Sequence, residues 1–324
     1  MVTIERRSRK GPILTPSSLP CLSGMPTINI TEGCAHRCTY CYTQGYSNYP
    51  GAERIVLFDN TAELVKAELA RKRRRPRRVY FSPSSDAFQP LPEVQEIAHQ
   101  TMAVLLDAGV EVAFLTKGII SEAFVALFAR MPAMVFAQIG ITTLEEELWR
   151  VFEPGAASPF HRLENIAKLR QIGVAVKARL DPLTPELTDA PEGLSRLLCE
   201  LAHRGVRDVA ASYLFLRSAF ARKICEQLKV ASGPAGTAVE WAWQPMADGV
   251  GGAQMLDAKD RRERFARLVA LAGSHGITVH VCTCKNPDLA FRGDCEIAGS
   301  AATRLAARGS PLFDQGAESK PCPD

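Results

Sequence analysis

Residues 27–41 read Thr-Ile-Asn-Ile-Thr-Glu-Gly-Cys-Ala-His-Arg-Cys-Thr-Tyr-Cys, a short predicted strand followed by three closely spaced cysteines. Cys34, Cys38 and Cys41 supply soft thiolate ligands, which suit an iron–sulfur cluster or zinc. A structural zinc site normally has four protein ligands, whereas a cubane cluster on three thiolates keeps one iron open to another ligand. The spacing therefore favours a catalytic iron–sulfur cluster, with zinc and unliganded thiols as the alternatives.

Helices and strands alternate after this cysteine loop. Helices are predicted over residues 60–72, 91–108, 121–131, 144–152, 159–172, 191–204 and 257–273, and strands over residues 27–30, 79–81, 110–116, 134–141, 174–180, 209–216, 240–244 and 278–281. The alternation indicates a parallel sheet built from strand–helix–strand units. We therefore predict an α/β protein with a partial (βα)6 TIM-like barrel. In the first helix, Asn60 is predicted to be the N-cap, with Glu63 at the capping-box position.

Composition divides the chain into four predicted parts. These are an N-terminal leader (1–25), the partial barrel (26–230), a C-terminal auxiliary metal-binding region (231–308) and a mobile tail (309–324). With 324 residues, 46% of them hydrophobic, the chain can bury a large core. The net charge of +4 permits an anionic substrate without requiring one.

The sequence predicts a cytoplasmic protein without a membrane partner. It has no run of 18 consecutive apolar residues and no N-terminal apolar stretch of the kind that signal peptides have. The chain has ten cysteines, and in a reducing compartment they are not expected to form a disulfide framework. Their spacing therefore needs a metal-based interpretation.

A second cysteine motif follows the last predicted strand. Cys282 and Cys284 form a Cys-x-Cys pair, and Cys295 follows after a turn that contains Asn286-Pro287. An auxiliary iron–sulfur cluster is the first interpretation of this motif, and zinc or unliganded thiols are the alternatives. The fourth ligand is left open: Cys322, a polar residue such as Asp294, or an exogenous group.

A basic run, Arg71-Lys-Arg-Arg-Arg-Pro-Arg-Arg78, places seven cations in eight residues. Such a run could bind nucleic acid phosphates. It also ends a predicted helix, where cations favour the helix dipole, and no aromatic residue interrupts it. A solvated helix end on the amino-terminal side of the barrel, opposite the cysteines, is the favoured interpretation.

The Cys34-x3-Cys38-x2-Cys41 spacing, after a first strand in a chain of alternating strands and helices, resembles the radical S-adenosylmethionine (SAM) superfamily. The resemblance implies a 4Fe–4S cluster whose open iron binds SAM, with SAM cleaved reductively to a 5′-deoxyadenosyl radical that abstracts hydrogen from substrate. It also implies a reductant such as flavodoxin or ferredoxin. Tyr40 matches the position that packs on the adenine of SAM.

Several later segments resemble the spore photoproduct lyase-like branch of that superfamily. They are Phe81-Ser-Pro-Ser-Ser-Asp-Ala-Phe-Gln-Pro90, Leu115-Thr-Lys117, Ile141-Thr-Thr143, Glu153-Pro-Gly-Ala-Ala-Ser-Pro-Phe-His-Arg-Leu163 and Lys177-Ala-Arg-Leu-Asp-Pro182. By position, the resemblance implies that the methionyl end of SAM lies near Ser82, Ser84 and Ser85, its carboxylate near Lys117 or Arg179, and its ribose near Thr142 and Thr143. The alternative for each residue is an ordinary polar position on the barrel rim.

One departure from that branch bears on the substrate. Spore photoproduct lyases carry a hydrogen-donor cysteine just before the Ser-Asp of the second strand loop, but here the loop reads Ser82-Pro-Ser-Ser-Asp86. We therefore expect a radical SAM enzyme, a lyase or an oxidoreductase, that acts on a small molecule or peptide. A lyase or repair-type enzyme acting on nucleic acid is the second hypothesis. A non-enzymatic zinc or iron–sulfur protein is the third.

Overall fold

The computed structural model describes residues 2–17, 20–22, 24–217, 243–245 and 253–289. Its strands are β1 (Thr3–Arg7), β2 (Thr15–Pro16), β3 (Pro26–Ile28), β4 (Thr31–Glu32), β5 (Arg54–Phe58), β6 (Arg78–Phe81), β7 (Glu111–Thr116), β8 (Val135–Gly140), β9 (Ala175–Leu183), β10 (Asp208–Tyr213), β11 (Phe215–Arg217), β12 (Trp243–Pro245), β13 (Ala253–Leu256) and β14 (Thr278–Val281). Its α-helices are α1 (Thr61–Arg71), α2 (Pro92–Asp107), α3 (Glu122–Ala129), α4 (Glu146–Phe152), α5 (Pro159–Gln171), α6 (Pro191–His203) and α7 (Ala258–Ser274).

An eight-stranded sheet forms the centre of the fold, in the order β14-β10-β9-β8-β7-β6-β3-β2. Its pairs are parallel from β3 through β14, and β2 is antiparallel to β3. Helix α2 packs on β7, α5 packs on β8 and β9, and α7 packs on β14. The sheet order confirms the predicted partial barrel. Because the strands are parallel, their carboxyl ends meet at one rim, which we call the carboxyl rim.

The predicted leader contributes to this fold through several contacts. Strand β1 pairs in parallel with β5, in a small side sheet of order β1-β5-β4. Leu22 is 1% exposed and packs with Tyr80 and Phe136 in an apolar cluster of its own. Residues from the N-terminal segment therefore complete the packing of the sheet face that carries Tyr80.

The side sheet fixes the start of the cysteine loop. Strand β4 leads directly into Gly33, which has φ +82°, and a Cβ at Gly33 would lie 2.8 Å from the carbonyl oxygen of Arg54 on β5. Only glycine combines that backbone conformation with so close an approach. The backbone conformation at Gly33 is therefore fixed, and this fixes where the cysteine loop begins at Cys34.

Some local predictions were wrong or incomplete. Asn60 precedes α1, but its side chain does not cap the helix. Instead, Asn60 Oδ1 accepts a hydrogen bond from the Arg9 amide (2.9 Å) and Nδ2 donates to the Arg9 carbonyl (3.0 Å). Strands β1, β2, β4, β5 and β13 were not predicted, because most are short and β5 followed a segment interpreted as loop. Strand β12 overlaps the predicted strand 240–244.

The basic run lies where α1 ends and β6 begins, so it is at the amino-terminal ends of the strands. Arg78 is buried, pairs with Glu111 (2.7 Å) and lies 3.6 Å over the Phe136 ring. Arg75 donates to the Ala108 carbonyl (2.9 Å). Two of the cations in the basic run therefore make contacts within the fold.

Among the described helices, none is long and apolar enough to cross a membrane.

Candidate functional site

The three cysteines of the first motif line one cavity of about 300 Å³ at the carboxyl rim. Two tight turns shape their loop, in which the Arg37 amide donates to the Cys34 carbonyl (3.3 Å) and the Cys41 amide to the Cys38 carbonyl (3.1 Å). All three side chains are free thiols. The turns direct them toward the same space, as a shared cluster requires.

The end of α4 and the segment that follows it form backbone hydrogen bonds with this loop. The Thr39 amide donates to the Phe152 carbonyl (2.9 Å), and the Gly155 amide donates to the His36 carbonyl (3.0 Å). A Cβ at Gly155 would lie 2.2 Å from the Ala35 carbonyl oxygen, so only glycine permits this approach. The Glu153-Pro-Gly stretch is therefore part of the support of the cysteine loop.

A buried carboxylate next to the loop organises three cationic or donor groups. Glu153 is 2% exposed, accepts a hydrogen bond from the Tyr40 hydroxyl and pairs with Arg162. The Lys117 ammonium lies 3.5 Å from Glu153 Oε1 and 5.1 Å over the Tyr40 ring. Burial alone would raise the pKa of Glu153, but the charges of Arg162 and Lys117 lower it to about 2. The Glu153 carboxylate is thus ionised, and it interacts with all three of these side chains.

A second buried carboxylate ties the C-terminal cysteine loop to the barrel. Asp181 accepts hydrogen bonds from Lys285 Nζ (2.7 and 2.9 Å) and from Arg179 Nη2 (2.8 Å) and Nε (3.1 Å). Lys285 Nζ also lies 4.7 Å from the Phe215 ring centroid, and that ring stacks on Tyr42. Burial raises the pKa of Asp181, but Lys285 and Arg179 outweigh it, so the pKa falls below its ordinary value of 3.8.

The second cysteine pair faces the same cavity as the first motif. Cys282 and Cys284 both line it, Cys282 is buried, and their sulfur atoms are 3.1 Å apart. That separation exceeds the S–S bond length of about 2.05 Å, so the two cysteines do not form a disulfide with each other. Cys21 also lines the cavity. Cys295, the third predicted ligand, lies outside the described residues.

Burial controls the protonation of the cluster cysteines in the metal-free chain. It raises the pKa of Cys34 well above the usual range and that of Cys38 to about 12, even though Lys117 acts in the opposite direction on Cys38. These thiols are therefore neutral without metal, and binding a metal cluster would release their protons. Within the described ranges, no three His, Cys, Asp or Glu side chains form a site for a single metal ion.

Three buried polar atoms on the cavity residues lack a hydrogen-bond partner within the described part of the chain. They are Ser82 Oγ, Ser85 Oγ and His36 Nε2. The other ring nitrogen of His36 lies 3.4 Å from Asp86, and burial lowers the pKa of this histidine. Because an unsatisfied buried polar group is costly, these atoms fit a cavity that binds a polar ligand. SAM, with its carboxylate, amine and hydroxyl groups, is such a ligand.

The structure brings most of the predicted site residues together. Those that line the cavity are Cys34, Cys38, Cys41, Tyr40, Ser82, Ser84, Ser85, Lys117, Arg179, Cys282 and Cys284. Thr142 and Thr143 follow β8 and are not among the described residues that line it. Thr143 Oγ1 instead accepts from the Glu145 amide (3.0 Å), and two nitrogens of Arg179 are already bound to Asp181.

Four residues of the site were not assigned from the sequence: His36, Glu153, Asp181 and Lys285. His36 lies within the cysteine motif, and the two acids lie within segments that carried the family resemblance. Lys285 directly follows Cys284. Their positions in these segments were a usable signal, but the ion pairs that give them a role form only in the folded chain.

The family model described as "Radical SAM superfamily" matches residues 28–198. An uncharacterized protein of Mycobacterium tuberculosis (strain ATCC 25618 / H37Rv) is 28% identical over 200 residues, which cover 59% of each chain. A radical SAM Nα-GlyT isomerase of Pseudomonas phage M6 is 26% identical over 205 residues, covering 63% of this chain and 42% of the phage protein. The chain thus matches less than two thirds of the length of these relatives.

Among solved structures, the fold is similar to a spore photoproduct lyase variant with bound AdoMet and dinucleoside spore photoproduct. The TM-score is 0.66 at 15% identity, and the match covers 85% of this chain and 81% of that one. At this identity the likeness concerns the fold.

Proposed function

Because this chain belongs to the radical SAM superfamily of enzymes, we propose that it holds a 4Fe–4S cluster on Cys34, Cys38 and Cys41 and binds SAM in the main cavity. The observation that carries this proposal is that the three thiols share their cavity with Ser82 Oγ, Ser85 Oγ and His36 Nε2. These atoms have no hydrogen-bond partner among the residues that the structure describes. When bound and reduced by one electron, the cluster and SAM supply a 5′-deoxyadenosyl radical that abstracts hydrogen from a substrate.

The protein's own part is to bind and orient SAM and to exclude water. The serine hydroxyls and His36 offer hydrogen bonds at the end of β6, where we propose the methionyl group lies, with Ser84 beside them. Lys117 is the first candidate for the carboxylate, since Arg179 donates two hydrogen bonds to Asp181. Glu153 orients both Lys117 and the Tyr40 ring, so it positions the groups that face the adenine and the carboxylate. The ribose contacts of Thr142 and Thr143 stay a prediction.

We propose that Cys282, Cys284 and Cys295 hold an auxiliary iron–sulfur cluster. Support comes from the 3.1 Å separation of the first two sulfurs and from the fixed position of their loop, which Lys285 binds to Asp181. Because both thiols line the main cavity, this second cluster would face the reaction space. Zinc at the same ligands is the alternative.

The substrate class that we propose is a small molecule or peptide, with an external one-electron donor such as flavodoxin or ferredoxin. The loop after β6 has serine where spore photoproduct lyases have their hydrogen-donor cysteine, which supports a different reaction. A nucleic acid substrate is the second candidate, because the fold resembles that of a lyase bound to a dinucleoside photoproduct. The basic run does not support it, since that run lies at the amino-terminal ends of the strands.

Anaerobic reconstitution tests the two-cluster proposal, with iron and sulfide counted per chain in the wild type and in a Cys282→Ala/Cys284→Ala variant. We expect about eight irons in the wild type and about four in the variant, as for two cubane clusters. The first cluster should still yield 5′-deoxyadenosine from SAM. About four irons in both proteins would contradict the auxiliary-cluster proposal. Zinc bound to the wild type in that case would support the alternative of a zinc site at the same ligands.

A further inference from the structure

A second cavity, of about 270 Å³, lies between the side sheet and the cysteine loop. Its lining includes the polar side chains of Arg9, Asn29, Thr31, Glu32 and Asn48. Four further lining residues, Thr43, Tyr46, Tyr49 and Ser84, also line the main cavity. The two cavities are therefore neighbours that share a wall, and a ligand in one lies close to the other.

Arg9 is the cation of this second cavity. Its guanidinium carbon lies 3.6 Å from the Phe58 ring centroid, and Asn60 fixes its backbone through two hydrogen bonds. Burial lowers the pKa of Arg9, although arginine still keeps its charge. Within the described residues, no acceptor hydrogen-bonds to this guanidinium, and no carboxylate lies within 4 Å of it. Glu32, which lines the same cavity, acts on this guanidinium through its charge but does not hydrogen-bond to it. Five donors on a partly buried cation without a hydrogen-bonded acceptor among the described residues fit an oxygen-bearing anionic ligand.

Asn29 adds a second donor to this cavity. Its Oδ1 accepts a hydrogen bond from the Ser84 amide (3.0 Å), which leaves the Nδ2 group as its remaining donor. Thr31 is already engaged, because its hydroxyl donates to the Gly33 carbonyl and accepts from Gln89. The guanidinium and this amide are thus two donor groups for an oxygen-bearing ligand, and the hydroxyls of Tyr49 and Ser84 also line the cavity.

Glu32 limits the charge of the ligand that this cavity can take. Its Oε1 accepts a hydrogen bond from Asn48 Nδ2 (3.0 Å), and Arg7 lies 3.9 Å from its other oxygen. One cation and one partly balanced anion in the same cavity favour a singly charged oxyanion over a doubly charged one, because like charges repel in a partly desolvated space.

We propose that the second cavity binds a singly charged oxyanion, a carboxylate or a phosphodiester, through Arg9 and Asn29. We further assign this oxyanion to the substrate, as the group that anchors it while its reacting carbon lies in the main cavity. This assignment rests on the proposed function, because it takes the main cavity to be the reaction centre. The binding of the oxyanion itself does not depend on that function.

Arginine-specific labelling of the reconstituted wild-type protein with phenylglyoxal tests the binding. The rate at Arg9 is followed by peptide mass analysis in chloride, acetate or dimethyl phosphate at matched ionic strength. We expect at least one of the two probes to slow the labelling of Arg9 about threefold at twice its Kd. Arg54, an exposed arginine of the same side sheet outside the cavity, is the control and should be labelled at the same rate in all three salts.

Each outcome of the labelling experiment supports or overturns the oxyanion site or its assignment to the substrate. Protection by acetate alone identifies a carboxylate, and protection by dimethyl phosphate alone identifies a phosphodiester. An Arg9 labelling rate that neither probe changes, or equal protection of Arg54, overturns the oxyanion site. Protection of Arg9 in a protein that releases no 5′-deoxyadenosine from SAM would keep the oxyanion site and remove both the proposed function and the assignment to its substrate.

Discussion

Replacing Cys38 by alanine is expected to remove the first cluster, which is about four of the irons bound per chain after reconstitution. Cys38 is the middle thiol of the loop and lines the main cavity with Cys34 and Cys41. A cubane cluster held by two thiolates lacks a protein ligand, and even partners outside the ligand sphere change metal affinity by about 10- to 100-fold. Iron and sulfide analysis, with the visible absorbance of the cluster, measures the loss.

The matched control is Cys21→Ala. Cys21 lines the same cavity and is not in a disulfide, but it lies outside the Cys34–Cys41 spacing. We expect this variant to keep the full iron content of the wild type. Full iron in the Cys38→Ala protein, or an equal loss in the Cys21→Ala protein, would mean that the first motif does not hold the cluster.

Replacing Glu153 by alanine is expected to destabilise the fold by about 3–5 kcal/mol, because it leaves the charge of Arg162 buried without its partner. Arg162 is 1% exposed and Glu153 is 2% exposed, so both charges are buried in the fold. The change also releases Lys117 and Tyr40, which face the main cavity. The free energy of unfolding in urea, measured on cluster-free protein at neutral pH, tests this expectation.

The control lies on the neighbouring helix. Glu146 pairs with Arg150 at 2.7 Å, but both side chains are more than half exposed. Glu146→Ala should therefore cost only about 0.3–0.5 kcal/mol. A loss of stability at Glu153 no larger than that at Glu146 would contradict the expected cost of leaving Arg162 buried without its partner.

Acidification gives an independent check on Glu153. Its pKa falls from an ordinary value of 4.5 in the unfolded chain to about 2 in the fold. The unfolded chain therefore takes up the proton first, so the contribution of this carboxylate is complete above about pH 4.5 and is lost toward pH 2. The difference in stability between wild type and Glu153→Ala should shrink over that range.

The sequence predicted the sheet well, because strands of a buried parallel sheet carry a strong apolar signal. The segment around Val79–Phe81, for example, is apolar and bounded by charged and turn residues, and it forms β6. The side sheet was missed because β4 has two residues and gains stability only from pairing with β5. Asn60 was assigned to a helix cap because its partner, the Arg9 backbone, is distant in sequence.

In the candidate site, too, local features were predicted and contacts between residues distant in sequence were not. Cysteine spacing is local, so Cys34, Cys38 and Cys41 were found directly. Asp181 and Lys285 are 104 positions apart, and their ion pair exists only after the C-terminal loop returns to the barrel. Arg179 stays a candidate for the SAM carboxylate beside Lys117, but the sequence did not reveal that two of its nitrogens donate to Asp181.

Release of 5′-deoxyadenosine shows whether the main cavity cleaves SAM reductively. Reconstituted wild-type protein is incubated anaerobically with SAM and dithionite, beside the Cys38→Ala variant, and the nucleoside is quantified by mass spectrometry. We predict release from the wild type at a rate at least about 100-fold above that of the variant. A wild-type protein with a full iron content and bound SAM that releases no 5′-deoxyadenosine would contradict the proposed cleavage of SAM.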